Sequence, residues 1–298
     1  MIKFNRFYTQ FNIASLVLVI VSLCFLVFKG LNFGIDFKGG TLIELRSSYD
    51  KINVSSLRDN LNKMNLGDVS IKKFGSDKDY LIKFENNNDK NNVIEKIRIN
   101  LDKSFGNNFD FRRVENVGPK VSAELLKSGI IAITTSLAIM LIYIWIRFEW
   151  QFSLGAIIAL FHDVIITLGI FSVLSLEINL SIIAAVLTIV GYSMNDTVVI
   201  YDRIRENLLK YTKISISDIS NLSINETLSR TIITSITTLL ALISIYILGG
   251  EILRGFSFAM ILGVIIGTYS SMFVASPILK FFKVSYKTLE KEEEKILP

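Results

Sequence analysis

The chain is 298 residues long, 51% hydrophobic and only 20% charged, and its mean hydropathy is +0.48. The apolar residues fall in long runs with the charged residues between them, which excludes a single soluble globule. One cysteine, Cys24, and one histidine, His162, exclude a disulfide framework and make a metal site or metal cofactor unexpected, and the +5 formal charge sits at the ends of apolar runs rather than in a nucleic-acid-binding patch.

The first apolar run, residues 11–28, follows Lys3 and Arg6 as a signal peptide would. It is long for one, lacks a small-x-small cleavage site, and has bulky Leu23 before Cys24 where lipoprotein cleavage needs a small residue. It reads as an uncleaved transmembrane helix. A bilayer core of about 30 Å takes roughly 20 apolar residues per helix. Runs 129–146, 152–176, 178–201, 231–248 and 256–282 also qualify, so a polytopic α-helical protein with six spans is expected. The organisation is then 1–30, the N-terminus and first span; 31–128, a polar domain; 129–282, spans two to six; and 283–298, a charged tail.

Within the polar stretch, residues 42–46 predict a strand, and 54–64 a helix with Val54, Leu57, Leu61 and Met64 on one side. Residues 69–74 and 79–84 predict two strands joined by a turn at Gly75-Ser76-Asp77. A second helix, 93–105, places Val93, Ile97 and Leu101 on one face, and 110–114 is a last strand. The order β-α-β-β-α-β is that of a ferredoxin-like α+β domain. It has no histidine or cysteine, and its carboxylates lack catalytic spacing, so a binding or lever module is expected rather than an enzyme.

Lysine and arginine at the short loops set the orientation. Lys3 and Arg6 precede span one; Arg147 follows span two; Arg203, Arg205, Lys210 and Lys213 follow span four; Lys280, Lys283, Lys287, Lys291 and Lys295 follow span six. The opposite loops hold Glu177, and Glu251 with Arg254. Both termini are therefore expected in the cytoplasm, with 31–128 outside.

Polar groups inside the spans carry the functional signal. A charge at the bilayer centre costs from about 3 to over 10 kcal/mol. Asp196, beside Asn195, lies about 9 Å inside the boundary at Asp202 by helical rise, too deep for a short carboxylate to reach water. A carboxyl there can be neutral or charged as water access changes, which a proton relay needs; the plainer alternative is an aspartate that fixes packing. His162 and Asp163 sit about 18 Å from Trp150, near the midplane, and are open to the same two readings. Arg230 opens the fifth run, as an interfacial anchor or as a partner of Asp196. Thr231, Thr234 or Ser235, and Thr238 repeat at helical spacing, a hydroxyl stripe that lines a wet path or joins helices.

Gly263 and Gly267 have the spacing of close helix contacts. Gly39 and Gly40, in flexible turn punctuation after span one, and Gly118-Pro119, before span two, are hinge candidates. Residues 203–229 read as an interfacial helix. No G-x-x-x-x-G-K-[ST] loop occurs, so ATP hydrolysis by that route is excluded.

The motifs Gly34-Ile35-Asp36-Phe37-Lys38-Gly39-Gly40-Thr41, Val117-Gly118-Pro119, Arg147-Phe148-Glu149-Trp150 and Phe161-His162-Asp163-Val164 occur in order. So do Gly191-Tyr192-Ser193-Met194-Asn195-Asp196-Thr197, Asp202-Arg203-Ile204-Arg205-Glu206-Asn207, Thr227-Leu228-Ser229-Arg230-Thr231, and Gly249-Gly250 before Leu253-Arg254-Gly255-Phe256-Ser257. The chain resembles the SecD/SecF family, and within it the smaller SecF type. The resemblance implies half of a twelve-helix assembly of the RND permease superfamily, with SecD as the other half, in a bacterial inner membrane. It further implies proton-driven late translocation of unfolded preprotein through SecYEG, without bond chemistry, with YajC and YidC as further candidate partners. Asp196 matches the family's proton-coupling carboxylate and Arg230 its basic residue on the fifth span. The competing expectations are half of a small-molecule efflux pump, and a passive scaffold for the translocon; H⁺ and Na⁺ both suit an aspartate with hydroxyls.

Overall fold

The structure, a computed structural model, describes residues 2–48, 52–64, 66–67, 69–73, 76–84, 90–106, 109–286 and 288–289. The expected turn residue Gly75, the end of its strand at Phe74, and Lys287, Lys291 and Lys295 of the tail lie outside these. The chain divides into two compact units, Met1–Asn32 with Ala132–Pro298, and Phe33–Ile131.

Among the described residues six helices are long and apolar enough to cross a membrane: Phe4–Phe28, Pro119–Arg147, Trp150–Val173, Leu180–Lys210, Ile216–Leu248 and Leu253–Phe281. Hydropathy underestimates most of them because backbone hydrogen bonding continues past the last apolar residue. Pro119 opens span two, at the one helical position where its missing N–H costs nothing. Asn179 caps span four by accepting from the Ile182 N–H at 3.1 Å. Spans three, four and six are the interior of the bundle, while spans one, two and five expose most of their apolar surface, as lipid-facing helices do. Close approach needs glycine: a side chain on Gly169 would strike Ser22 of span one, and one on Gly263 would strike Ile189 of span four.

The expected interfacial helix at 203–229 does not exist as a separate element. Span four runs on to Lys210 and span five already starts at Ile216, leaving only a short turn capped by Ser215. No glycine or proline interrupts either stretch, and each buries a stripe, Ile204, Asn207 and Leu208 on one side, Ile219, Ser223 and Ile224 on the other. The hairpin is tied by Asn207 Nδ2 donating to Ser223 Oγ at 2.9 Å and by Arg203 Nε donating to Glu226 at 2.7 Å. The N-terminal segment docks on the same helix. The backbone N–H of Phe4 donates to Asn221 at 2.7 Å, and Ile2 exchanges two hydrogen bonds with Asn225, each 2.8 Å.

The second unit is a four-stranded antiparallel sheet of β1 (Gly40–Ser47), β2 (Ser70–Lys73), β3 (Asp79–Phe84) and β4 (Phe109–Val117), in the order β2-β3-β1-β4. Helices Val54–Asn62 and Lys90–Phe105 follow β1 and β3. This is the β-α-β-β-α-β order and strand arrangement of a ferredoxin-like domain. Period-2 alternation sends Ile43 and Leu45 of β1 and Tyr80 and Ile82 of β3 into one core with Leu57, Leu61, Ile97 and Leu101. The stretch expected as flexible punctuation is a defined corner instead. Residues Ile35–Lys38 make one helical turn, Gly39 N–H bonds Ile35 O at 2.9 Å, and Gly40, at φ +133°, has no room for a side chain against the Phe84 carbonyl.

Directly across the sheet, Arg46 of β1 faces Asp79 of β3 and donates two hydrogen bonds, 2.7 and 2.8 Å long. These hold the Asp79 carboxyl down from the ordinary 3.8 to about 2, against the effect of burial and with help from Ser76. A lowered folded value means that the pair's stabilisation is complete above the ordinary carboxylate range and is lost as pH falls from there through about 2. In Arg46→Ala the Asp79 midpoint should rise toward the ordinary range, which carboxyl NMR during acid titration reads directly; an unchanged midpoint would overturn this account. Leu57 is fully buried. Leu57→Ala should lower the opening free energy of the β1 and β3 amides in hydrogen exchange by about 2–5 kcal/mol and leave the span amides unaffected.

Candidate functional site

The interior spans bring their polar residues to two neighbouring nodes. Asp163 of span three is wholly inaccessible. Its Oδ1 meets His162 Nδ1 at 2.8 Å, and its Oδ2 accepts from Ser193 of span four at 2.5 Å and from Ser270 of span six at 2.7 Å. One carboxylate therefore ties three helices. Gly267 makes this approach feasible, since a Cβ there would lie 3.0 Å from that of Ser193. The His162 ring lies nearly parallel to that of Tyr269, 6.2 Å away, and its Nε2 is buried with no hydrogen-bond partner among the described residues. Tyr269 carries the network to span one by donating to Phe11 O at 2.7 Å.

The second node is Asp196, also buried. It feels the charge of Arg230 on span five. Among the described residues no ion pair within 4 Å joins Asp196 to Arg230, whose side chain is exposed. Arg230 thus acts on the carboxylate through its field rather than through contact. Asp196 Oδ2 is buried without a partner among the described residues. Thr268 Oγ1 of span six is 2.8 Å from Ser235 Oγ of span five, and the Oγ1 of Thr197, the residue after Asp196, meets Ser271 Oγ at 2.8 Å.

Of the hydroxyl stripe on span five, Thr231 and Ser235 are buried, and Ser235 reaches span six. Thr234 bonds the carbonyls of Arg230 and Thr231, both at 3.0 Å, and is spent on its own helix. Thr238 is half-buried. Asn195 is exposed on the outside of the bundle, one residue from Asp196 but away from both nodes. Gly39 precedes β1, which Gly40 begins, beside Gly118-Pro119 just after β4, where the Gly39 Cβ position is 3.5 Å from Pro119. Among the described residues no group of three or more histidine, cysteine or acidic side chains could hold a metal ion.

Several participants carry no signal of their own in the sequence. Ser193, Thr268, Ser270 and Ser271 have small hydroxyls of nearly neutral hydropathy, and only the assembled bundle shows that Ser193 and Ser270 serve Asp163 while Thr268 and Ser271 meet hydroxyls of neighbouring spans. Glu149 is another. It lies in the turn before span three, yet it is buried and accepts from Arg205 at 2.7 Å, next to a second pair between Arg147 and Asp202 at 2.8 Å. Phe148 sits between the two arginines, 5.0 Å from the Arg147 guanidinium and 5.7 Å from that of Arg205.

Residues 97–285 match the family model described as protein export membrane protein SecD/SecF, C-terminal, and residues 25–48 match the SecD/SecF GG motif. The protein translocase subunit SecF of Rickettsia bellii is 49% identical over 270 residues, covering 90% of this chain and 89% of that protein. That of Rickettsia rickettsii is 48% identical over 282 residues, covering 93% and 91%. The crystal structure of SecDF, a translocon-associated membrane protein from Thermus thermophilus, superposes with a TM-score of 0.84 at 35% identity over 95% of this chain. This chain spans only 38% of that longer one. The family models and these relatives cover nearly the whole six-span chain: it belongs to the SecD/SecF family of protein export membrane proteins, as a SecF-type member.

Proposed function

We propose that this chain is the SecF half of a SecD–SecF pair in a bacterial inner membrane, and that it uses the proton-motive force to drive late translocation and release of unfolded preprotein through SecYEG. One observation carries the reading: two carboxylates, Asp163 and Asp196, are buried inside the three innermost spans, and Asp163 is bonded to hydroxyls of spans four and six. Buried ionisable groups in a membrane domain are costly and mark ion pathways.

Partnership with SecD is supported from two sides. The solved SecDF, described as translocon-associated, is a single chain of which this one spans 38%, leaving a second half for SecD to supply. Span four also turns Thr188, Gly191 and Asn195 outward, where a polar amide facing lipid would be expensive and one facing a second helical half would not. The basic residues at the loops support a cytoplasmic location for both termini and a periplasmic one for residues 31–128, where an emerging preprotein would meet them. Family membership sets aside the efflux reading; dependence on the proton gradient separates a motor from a scaffold.

In the proposed cycle Asp196 takes a proton from the periplasmic side, its attraction to Arg230 disappears, and the bonding between spans changes before the proton leaves to the cytoplasm. About 2.3 kcal/mol is available per charge per 100 mV. In membranes containing SecD, Asp196→Asn should abolish the stimulation of preprotein release by the proton gradient while the variant still copurifies with SecD. Full stimulation in that variant would overturn the reading.

A further inference from the structure

We propose that His162 is a second proton-accepting residue of this chain, and that it takes the proton at Nε2 while Asp163 stays a carboxylate. The inference rests on the proton-driven reading above and names the atom at which the Asp163 node is loaded.

His162 is the single histidine of the chain and is only 6% exposed, within span three. Two neighbours fix its ring. Nδ1 lies 2.8 Å from Asp163 Oδ1, and the ring plane runs nearly parallel to that of Tyr269 on span six. Tyr269 is itself held, since its hydroxyl donates to Phe11 O of span one and lies 2.7 Å from Ser15 Oγ. Asp163 Oδ2 accepts from both Ser193 and Ser270, the pattern of a carboxylate, so the hydrogen of the Nδ1–Oδ1 bond belongs to the ring. In a neutral imidazole with its hydrogen on Nδ1, the lone pair is on Nε2. That atom is buried and has no hydrogen-bond partner among the described residues. A ring oriented through Nδ1 by a carboxylate, with Nε2 left open, has the geometry of a histidine base.

Loading the ring disturbs nothing else in the node. The proton bonds to the Nε2 lone pair, and the pair of neutral imidazole and carboxylate becomes imidazolium and carboxylate. Its net charge falls from a single negative charge to none, which favours it in so inaccessible a place. Nδ1–H still donates to Asp163 Oδ1, and both serines keep their acceptor. Ser193 stands three residues before Asp196 on span four, about 4.5 Å along the axis, so a proton on His162 removes a negative charge from the neighbourhood of Asp196. Among the described residues, the titratable groups facing the ring are Asp163 of its own helix and Tyr269 of span six. Tyr8 of span one packs on Phe273 instead, and Arg230 of span five acts on Asp196. Histidine is the side chain best suited to change charge near neutral pH, so this node adds a proton site of a different chemical kind from Asp196.

The test uses the native chain with nitrogen-15 in its histidine ring, reconstituted with unlabelled SecD, so that every labelled imidazole signal comes from His162. At high pH, NMR should show a protonated Nδ1 and a bare Nε2. On acidification Nε2 alone should become protonated while Nδ1 stays so. A neutral ring with its hydrogen on Nε2 overturns the proposal, as does an Nε2 that stays bare throughout the pH range in which release is gradient-stimulated. His162→Asn removes Nε2 but keeps an amide able to donate to Asp163. It should copurify with SecD and cut the gradient-stimulated part of preprotein release by about a hundredfold. Full stimulation in that variant overturns the proposal; if the variant does not assemble, the titration of the native ring decides. Asp196→Asn in the same membranes separates the two ideas. Retained stimulation there defeats the proton-coupling reading itself, whereas stimulation lost there and kept in His162→Asn defeats only this inference.

Discussion

A hydrocarbon core supplies no water, so every polar group placed in it has to be satisfied by the protein. Asp163 shows the constraint at its most demanding, since His162 and serines of two neighbouring helices converge on one inaccessible carboxylate. Those bonds fix which spans are interior. Spans three, four and six must meet at Asp163, and Gly267 is needed where span six closes on Ser193. Spans one, two and five have no comparable obligation and can present Leu, Ile and Val to lipid. The arrangement of the bundle thus follows from where its few buried charges are, more than from where its many apolar residues are.

The outer unit obeys the opposite solvent rule. Its sheet has water available, so the Arg46–Asp79 pair sits at the margin, with Arg46 41% exposed, and its weight lies in strand register as much as in stability. The core beneath it is apolar and is closed at one point by the Tyr80 hydroxyl, which donates to Ile52 O at 3.0 Å. Its one buried carboxylate named here, Asp79, is paired at that margin with Arg46.

How much is legible in the sequence follows the same division. Alternation at Ile43, Leu45, Tyr80 and Ile82, and helical spacing at Leu57 and Leu61, are local patterns, so the β-α-β-β-α-β order can be read from the residues alone. The spans are legible as apolar runs, but their ends are not: Arg203 to Lys210 carries charge and is still helix, because the backbone ladder continues where hydropathy stops. Asp196 and Asp163 announce themselves as charges in apolar surroundings. Their partners do not, since Ser270 meets Asp163 from 107 residues away and a serine in a membrane helix can equally well bond its own carbonyls. Arg230 shows the converse. Its spacing allows a contact pair with Asp196, and the structure places it within reach of the field and out of reach of the oxygen atoms.

The energies involved argue for exchange of partners over their simple loss. One proton crossing 100 mV supplies about 2.3 kcal/mol. A net intramolecular hydrogen bond is worth about 1 kcal/mol, but a buried hydroxyl left unmatched costs about 1–3 kcal/mol. A rearrangement that left two buried hydroxyls bare would therefore cost about as much as one proton supplies, or more. One in which each hydroxyl finds another acceptor costs far less. A carboxylate stripped of every donor would be worse still, which is why the charged form of Asp163 needs its ring of hydroxyls and why Arg230 is best placed near Asp196 without touching it. A contact ion pair in so dry a setting would hold the proton off too firmly to be broken by a drive of this size.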